Sequence, residues 1–133
     1  MTKIVEVEGP VHNEVIARRV AEAFGKARTG RRIREASDRA LSSAVRAGAV
    51  IVEEDFAFTG AQQAAPPVRD RASAEAPGTA GHLPPMEIQV AAAQVVAECG
   101  DMPVEELIVA TARLLGFARV GAALRGVIEA ALR

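Results

Sequence analysis

The chain has 133 residues, a formal net charge of −1 and one cysteine; half of its residues are hydrophobic, although Trp and Tyr are absent. This length predicts one or two small domains, and a core built from aliphatic side chains and alanine favours closely packed helices. A single cysteine excludes an intramolecular disulfide, and we predict that Cys99 is a buried structural thiol in an apolar helix. No apolar run reaches the roughly 18 residues that a membrane span requires, and the N-terminus is not a signal peptide. We therefore expect a cytoplasmic protein without membrane contact.

Residues 1–59 predict a winged-helix-like module. Apolar residues recur at helical spacing from His12 to Phe24, and Gly25 is suited to end that helix. After a short turn, a second helix is predicted from about Arg31 to Ala47. The stretch AVIVEEDFAF then predicts two short strands, with the acidic residues Glu53–Asp55 at the tip of a hairpin. Helix, turn, longer helix and β-hairpin is the element order of a winged helix-turn-helix.

Residues 60–85 are rich in Pro, Ala and Gly and lack apolar periodicity, which predicts a flexible linker. Residues 86–133 predict a second module of three helices. These helices are predicted at Met86–Cys99, from Pro103 to Leu115, and from about Gly121 to Leu132.

The two modules repeat one pattern at an offset of 91 residues. GKARTGRRIR at residues 25–34 returns as GFARVGAALR at residues 116–125, and ten identities link residues 9–42 with residues 100–133. The repeated glycines fall where helices must end or turn. We interpret the pattern as an internal duplication. The alignment places MTKIVEVE opposite the end of a helix, although the Val and Ile content of that stretch favours a strand. It also leaves the second module without a complete wing.

The sequence carries no clear signature of a catalytic, nucleotide-binding or metal-binding site. GKARTGRR lacks the spacing of a phosphate-binding loop and joins two helices, whereas such a loop follows a strand. Three adjacent carboxylates on a hairpin cannot all reach one cation, and His12 precedes a helix, where capping or a phosphate contact is favoured over metal binding. No Ser/His/Asp set and no Cys/His cluster is present. We predict a protein that is not an enzyme and has no catalytic residue, metal or cofactor.

The strongest functional signal is a basic segment free of acidic residues. Its predicted DNA-binding residues are Lys26, Arg28, Thr29, Arg31, Arg32 and Arg34. In a helix-turn-helix the second helix enters the major groove by its N-terminal residues, and arginine can bind phosphate or read guanine. Two alternatives remain open: a solvated polar face, in which Glu35 and Asp38 pair with nearby arginines, and a protein-docking face.

The second copy lacks three of these cations. Lys26, Arg31 and Arg32 are replaced by Phe117, Ala122 and Ala123, and we predict that this second set contacts protein. The helix phasing also predicts four core residues where the helices cross, namely Phe24, Ile33, Leu115 and Leu124.

A family resemblance adds a context. The phrases EGPVHNEVIARRVAEAFGKARTGRRI, GAVIVEEDFAF and EELIVATARLLGFARVGAALRGVI resemble a bacterial domain of unknown function. That domain is found near the C-terminus of large superfamily-one helicase proteins that also carry a restriction-endonuclease-like domain. The likeness covers both modules and implies DNA processing in defence or repair, but it transfers no catalytic residue.

The sequence as a whole therefore predicts a mainly α protein of two tandem winged helix-turn-helix-like modules joined by a flexible linker. Its predicted function is accessory, non-catalytic binding of double-stranded DNA, with the second module serving packing or protein interaction. The alternative is an interaction module that docks a helicase or nuclease partner without touching DNA.

Overall fold

The computed structural model describes residues 1–72 and 80–133, which form seven α-helices and one small antiparallel sheet. The chain divides into two compact units, residues 1–65 and residues 66–133. The mainly helical character predicted from composition is confirmed. None of the helices in the described ranges combines the length and the apolar character needed to cross a membrane.

The first unit alternates helices with short strands. Its elements are α1 (Thr2–Glu8), β1 (Val11–His12), α2 (Asn13–Ala23), α3 (Arg31–Arg46), β2 (Ile51–Glu53), β3 (Phe56–Phe58) and α4 (Gly60–Ala64). The strand order is β1-β3-β2, with both pairs antiparallel, so Ala57 at the centre of β3 is paired with Val11 on one side and Val52 on the other. The core joins the sheet to the helices through Val5, Val11, Ile16, Leu41, Ala44, Val50 and Ala57.

The second unit is built from helices. They are α5 (Pro85–Cys99), α6 (Val104–Leu114) and α7 (Ala122–Ala131), preceded by a short 3-10 helix at Ala80–His82. Its core consists of Leu83, Ile88, Ala91, Ile108, Ala112, Leu115, Leu124, Ile128 and Ala131. The three predicted helices of this module are confirmed to within about two residues at each end.

The offset of 91 residues recurs in the helix boundaries. Adding 91 to the bounds of α2 gives those of α6, and α3 and α7 begin at equivalent residues. The ends of α1 and α5, Glu8 and Cys99, are also equivalent, and α1 is a helix despite its Val and Ile content. Each unit therefore contains the same three-helix arrangement in sequence, which supports the duplication.

Two burial predictions are wrong. Phe24 is 67% exposed, whereas its equivalent Leu115 is fully buried. Leu115 belongs to a core against which Val68 packs, and its carbonyl oxygen accepts a hydrogen bond from the Arg71 amide. Cys99 is also exposed, because it is the last residue of α5.

The other predicted core residues agree better with the structure. Leu124 is buried as predicted, and Ile33 is half-buried.

Part of the predicted linker forms a helix that contacts the first unit. Thr59 and Gln62 form a reciprocal capping box at the start of α4: the Gln62 backbone amide donates to Thr59 Oγ1, and the Thr59 backbone amide donates to Gln62 Oε1. The side-chain amide nitrogen of Gln62 donates to Val5 O at 2.7 Å. It also donates to Glu6 O at 3.1 Å, and these carbonyls belong to the last turn of α1. The carbonyls in the last turn of a helix lack some of their intrahelical partners. Val5 O also accepts a hydrogen bond from the Gly9 amide at 2.7 Å, so Gln62 adds a second bond there and supplies a partner for Glu6 O.

Residues 66–72, which we call the strap, make contacts within the second unit. The Arg71 amide donates to Leu115 O at 3.0 Å, and Val68 packs against the core. The Arg71 guanidinium is paired with Glu87, which is fully buried. A buried carboxylate requires a partner, and Arg71 of the strap supplies it for Glu87. An unstructured linker would not make such contacts. Residues 73–79 of the predicted linker lie outside the described residues.

Candidate nucleic-acid interface

The turn that follows α2 is fixed by backbone hydrogen bonds. The Lys26 amide donates to Ala21 O at 2.9 Å, and the Gly25 amide donates to Glu22 O at 3.0 Å. Gly25 has a φ of +72°, in the left-handed region that favours glycine. This bond pair closes the C-terminus of α2 in the manner of a Schellman motif. The chain then leaves the helix at a defined angle, with Lys26 and Arg28 on the surface.

Helix α3 begins without a side-chain cap. Gly30 is its N-cap residue and has an extended backbone, and its carbonyl oxygen accepts a hydrogen bond from the Arg34 amide at 3.0 Å. The first amides of a helix lack intrahelical acceptors and carry the positive end of the helix dipole. In α3 these amides are flanked by Arg31 and Arg32, so this helix end concentrates positive charge.

The predicted DNA-binding residues lie on the surface. The basic ones, Lys26, Arg28, Arg31, Arg32 and Arg34, are all exposed, and Thr29 is half-buried. The Arg31 side chain is 91% exposed, and its Nε lies 3.1 Å from Glu35 Oε1. Within the described residues the other four cations form no ion pair. The structure thus brings these cations to one turn and one helix start, and only Arg31 makes the pair that the solvated-face alternative predicts.

Sequence reasoning missed two further cations on α3. Arg39 and Arg46 are exposed, and together with Arg32 they are spaced seven residues apart. Seven residues are close to two helical turns, so the three side chains form one stripe along the helix. The spacing was present in the sequence, and it could have extended the predicted surface beyond the first turn.

Negative charge limits where this surface can meet an anion. Glu35 and Asp38 are exposed on α3, and Glu53, Glu54 and Asp55 are exposed at the hairpin tip. The tip is held in place by the Asn13 amide, which donates to Asp55 O at 2.8 Å. Carboxylates repel phosphates, so the tip is unsuited to contact a DNA backbone. A DNA contact would therefore involve the turn and α3 rather than the hairpin tip.

His12 has the capping role that its place before a helix predicts. Its Nδ1 accepts a hydrogen bond from the Glu14 amide at 3.0 Å, at the start of α2. Its ring also meets the ring of Phe56 edge to face, with centroids 5.2 Å apart. These contacts orient His12 within the first unit.

The second copy has the same turn with different side chains. The Phe117 amide donates to Ala112 O at 2.9 Å, Gly116 has a φ of +94°, and the Arg125 amide donates to Gly121 O at 3.0 Å. Phe117 is half-buried against the core of its own unit, whereas Ala122 and Ala123 are exposed. Part of the Phe117 side chain therefore packs inside the second unit.

Arg125 also differs in its partner from Arg34, its equivalent in the first copy. The Arg125 guanidinium is paired with Glu105, so this retained arginine is engaged inside the second unit. The turn geometry is thus common to both copies. Arg119 is exposed in the second copy, but the exposed cations Lys26, Arg31 and Arg32 occur in the first copy alone.

Residues 1–35 match the family described as "Protein of unknown function (DUF3320)". The matched stretch contains α1, β1, α2, the basic turn and the first residues of α3. This portion of the chain is similar to a domain of unknown function. No curated protein and no solved structure matches the chain.

Proposed function

We propose that the chain is a non-catalytic, accessory DNA-binding protein whose first unit is a winged helix-turn-helix. The order α1-β1-α2-α3-β2-β3 and the strand order β1-β3-β2 support this, because α2 and α3 then correspond to the helix pair and β2-β3 to the wing. In this arrangement α3 is the recognition helix. The ligand is double-stranded DNA, and no cofactor takes part.

The observation that carries the proposal is the exposed positive charge at the turn and along α3. Between Lys26 and Arg46 the sequence has seven basic and two acidic residues, although the whole chain has a net charge of −1. The local potential at this surface is therefore positive in spite of the overall balance. Backbone amides at the start of α3 add donors of the kind that bind phosphate at helix N-termini.

The charges also suggest how DNA would be bound. Lys26 and Arg28 in the turn are suited to phosphates, and Arg31 and Arg32 enter the groove with the start of α3. The acidic hairpin tip would repel the phosphates, so we expect the wing contact made by many winged-helix proteins to be missing. We expect binding that depends steeply on salt and weakly on sequence, with a Kd on the order of 10⁻⁴ to 10⁻⁶ M at physiological salt.

The family resemblance suggests a setting for this activity. Domains of the kind that the sequence resembles accompany helicase and nuclease domains, and we propose DNA processing or defence as the context. The second unit then serves packing or protein interaction through Phe117, Ala122 and Ala123. A helicase or nuclease chain is the proposed partner.

One observation favours the alternative, a protein-interaction module that does not bind DNA. Phe24 is 67% exposed and immediately precedes the basic turn. Aromatic residues, phenylalanine included, and arginine are enriched at protein–protein interfaces. In that case Phe24→Ala would abolish partner binding, and the cations would only surround the contact.

The test is a titration of a fluorescent duplex of about 20 base pairs, and of the matching single strand, with the full chain at low salt. We expect saturable binding to the duplex and weaker binding by Arg31→Ala/Arg32→Ala. Phe24→Ala should bind the duplex as the parent does. Absence of binding by the parent at low salt would reject the DNA proposal in favour of the interaction module.

A further inference from the structure

The second unit carries an open apolar groove, and the equivalents of its larger apolar side chains are buried in the first unit. The groove encloses about 570 Å³ and is lined mainly by residues of α5, α6 and α7. Three of the larger apolar side chains that line it, Val96, Leu107 and Leu132, are each half-buried. Apolar side chains exposed together in a groove are typical of an interaction site.

The duplication identifies what covers the same positions in the first unit. At the offset of 91 residues, Val96, Leu107 and Leu132 correspond to Val5, Ile16 and Leu41. Those three residues are almost fully buried in the core of the first unit, with exposures of 0%, 0% and 8%. The same core contains Val50 and Ala57, which come from the β-hairpin segment and from β3. In the first unit, therefore, the hairpin covers the positions that line the groove in the second.

The backbone beside the groove is also available for pairing. In the first unit Val11 of β1 is paired with Ala57 of β3, and the equivalent of Val11 is Met102. Met102 precedes α6 and forms no backbone-to-backbone hydrogen bond within the described residues. A strand laid beside Met102 could therefore pair with it, which is the β-augmentation mode of peptide recognition.

Charge complementarity points to the same kind of occupant. The charged side chain that lines the groove is Arg133, which corresponds to Ser42 beside Val52 of β2 in the first unit. The charged residues of the hairpin in the first unit are all acidic, at Glu53, Glu54 and Asp55. A hairpin of that composition would bring carboxylates close to Arg133.

We propose that this groove binds an apolar β-hairpin with an acidic turn, supplied by a partner chain. The hairpin takes the place that β2-β3 has in the first unit, covers Val96, Leu107 and Leu132, and pairs its second strand with Met102. This inference rests on the duplicated core and is independent of DNA binding by the first unit.

The test uses the full chain and a synthetic peptide of residues 49–59, AVIVEEDFAFT, closed by added terminal cysteines and labelled with a dye. We expect saturable binding that weakens about tenfold or more when Leu107 or Leu132 is changed to serine, since each loses apolar contact. Val109→Ser is the matched control, because Val109 lies on the same helix, is half-buried like Leu107 and does not line the groove, and its equivalent in the first unit, Arg18, is exposed. This control should bind the peptide as the parent does.

Leu132→Ser guards against a folding artefact, because Leu132 follows the last residue of α7 and is only half-buried. Circular dichroism should show parental helix content in this variant. No binding by the parent, or equal binding by Leu132→Ser, would overturn the proposal. A parent chain that dimerises, and loses the dimer in Leu132→Ser, would assign the groove to a second copy and overturn it as well.

A second experiment tests the groove with a hairpin that belongs to the same chain. Residues 43–59 are appended after Arg133, which preserves the offset of 91 residues. The appended chain should show slower hydrogen exchange in α6 than the parent, and an appended segment with serine at its apolar strand positions should not. Equal exchange in the two appended chains would contradict the proposal.

Discussion

The buried carboxylate of Glu87 is paired with the guanidinium of Arg71, which lies sixteen residues earlier in the strap. Arg71 Nη2 lies 3.1 Å from Glu87 Oε1, and Nη1 contacts the other carboxylate oxygen. Glu87 lies in the first turn of α5, where a negative charge also meets the positive end of the helix. The pair therefore fastens the strap to the start of α5.

Removing one partner of this pair should be costly. Arg71→Met keeps an apolar stem but leaves the Glu87 carboxylate buried without its counterion, and we expect a loss of about 3–5 kcal/mol in the free energy of unfolding. Arg71→Met/Glu87→Met should recover to within about 1 kcal/mol of the parent, because no charge is then buried. Urea unfolding followed by circular dichroism measures both. A single variant as stable as the parent would show that the strap does not cover Glu87.

The glycines at equivalent turns should respond differently to a methyl group. Gly25 and Gly116 both have positive φ, but a Cβ on Gly25 would meet no atom within 4 Å. On Gly116 it would lie 2.4 Å from the Ala72 amide nitrogen and 2.5 Å from that of Arg71. We expect Gly25→Ala to cost about 1 kcal/mol from backbone strain and Gly116→Ala about 1–3 kcal/mol more from displacement of the strap. Equal losses in urea unfolding would contradict the contact between Gly116 and the strap.

Phe24 and Leu115 form a second matched pair. Leu115→Ala removes a fully buried side chain and should cost about 2–5 kcal/mol. Phe24→Ala removes an exposed one and should change the free energy of unfolding by less than about 1 kcal/mol. Thermal unfolding of both variants checks the difference. A larger loss for Phe24→Ala than for Leu115→Ala would restore the prediction made from the helix phasing.

Gln62 should contribute to stability through the carbonyls that it caps. Gln62→Ala removes the hydrogen bonds to Val5 O and Glu6 O together with the capping box, and we expect a loss of about 1–3 kcal/mol. Gln63→Ala is the control, since Gln63 is its exposed neighbour on the same short helix. Hydrogen exchange of the α1 amides should quicken in the first variant alone. Unchanged exchange in Gln62→Ala would mean that α4 does not support α1.

Elements with a strong local pattern could be predicted from the sequence. Helices α2, α3, α5, α6 and α7 have apolar periodicity and glycine or proline at their ends, and the hairpin has two apolar runs around an acidic turn. Strand β1 has two residues and depends on pairing with β3, so it carries no local signal. Helix α4 lies in an Ala- and Gln-rich stretch and is supported by Gln62, whose acceptors are 56 and 57 residues away.

The wrong burial predictions for Phe24 and Cys99 also have physical explanations. The repeat equates Phe24 with Leu115, but Leu115 belongs to a core that also receives Val68 of the strap. Such a contact depends on the chain before α5, and a local pattern does not reveal it. For Cys99 the signal was present, because its equivalent Glu8 is a polar residue at the end of α1. Exposure of the basic residues could be predicted, because the helix phasing directs them outward.

The central claim is that phosphate contacts are made by the first copy of the repeated turn and not by the second. Its most direct test is the salt dependence of duplex binding for two double variants that remove the same charge. Arg31→Ala/Arg32→Ala alters the first copy. Arg119→Ala/Arg133→Ala alters the second and, like the first, removes an exposed ion pair between residues four apart, since Arg133 pairs with Glu129.

The slope of log K against log salt concentration should flatten by about one to two for Arg31→Ala/Arg32→Ala, as expected when two phosphate contacts are lost. The slope of Arg119→Ala/Arg133→Ala should equal that of the parent. Equal slopes for the parent and the Arg31→Ala/Arg32→Ala variant, or an equal flattening in both variants, would contradict the claim.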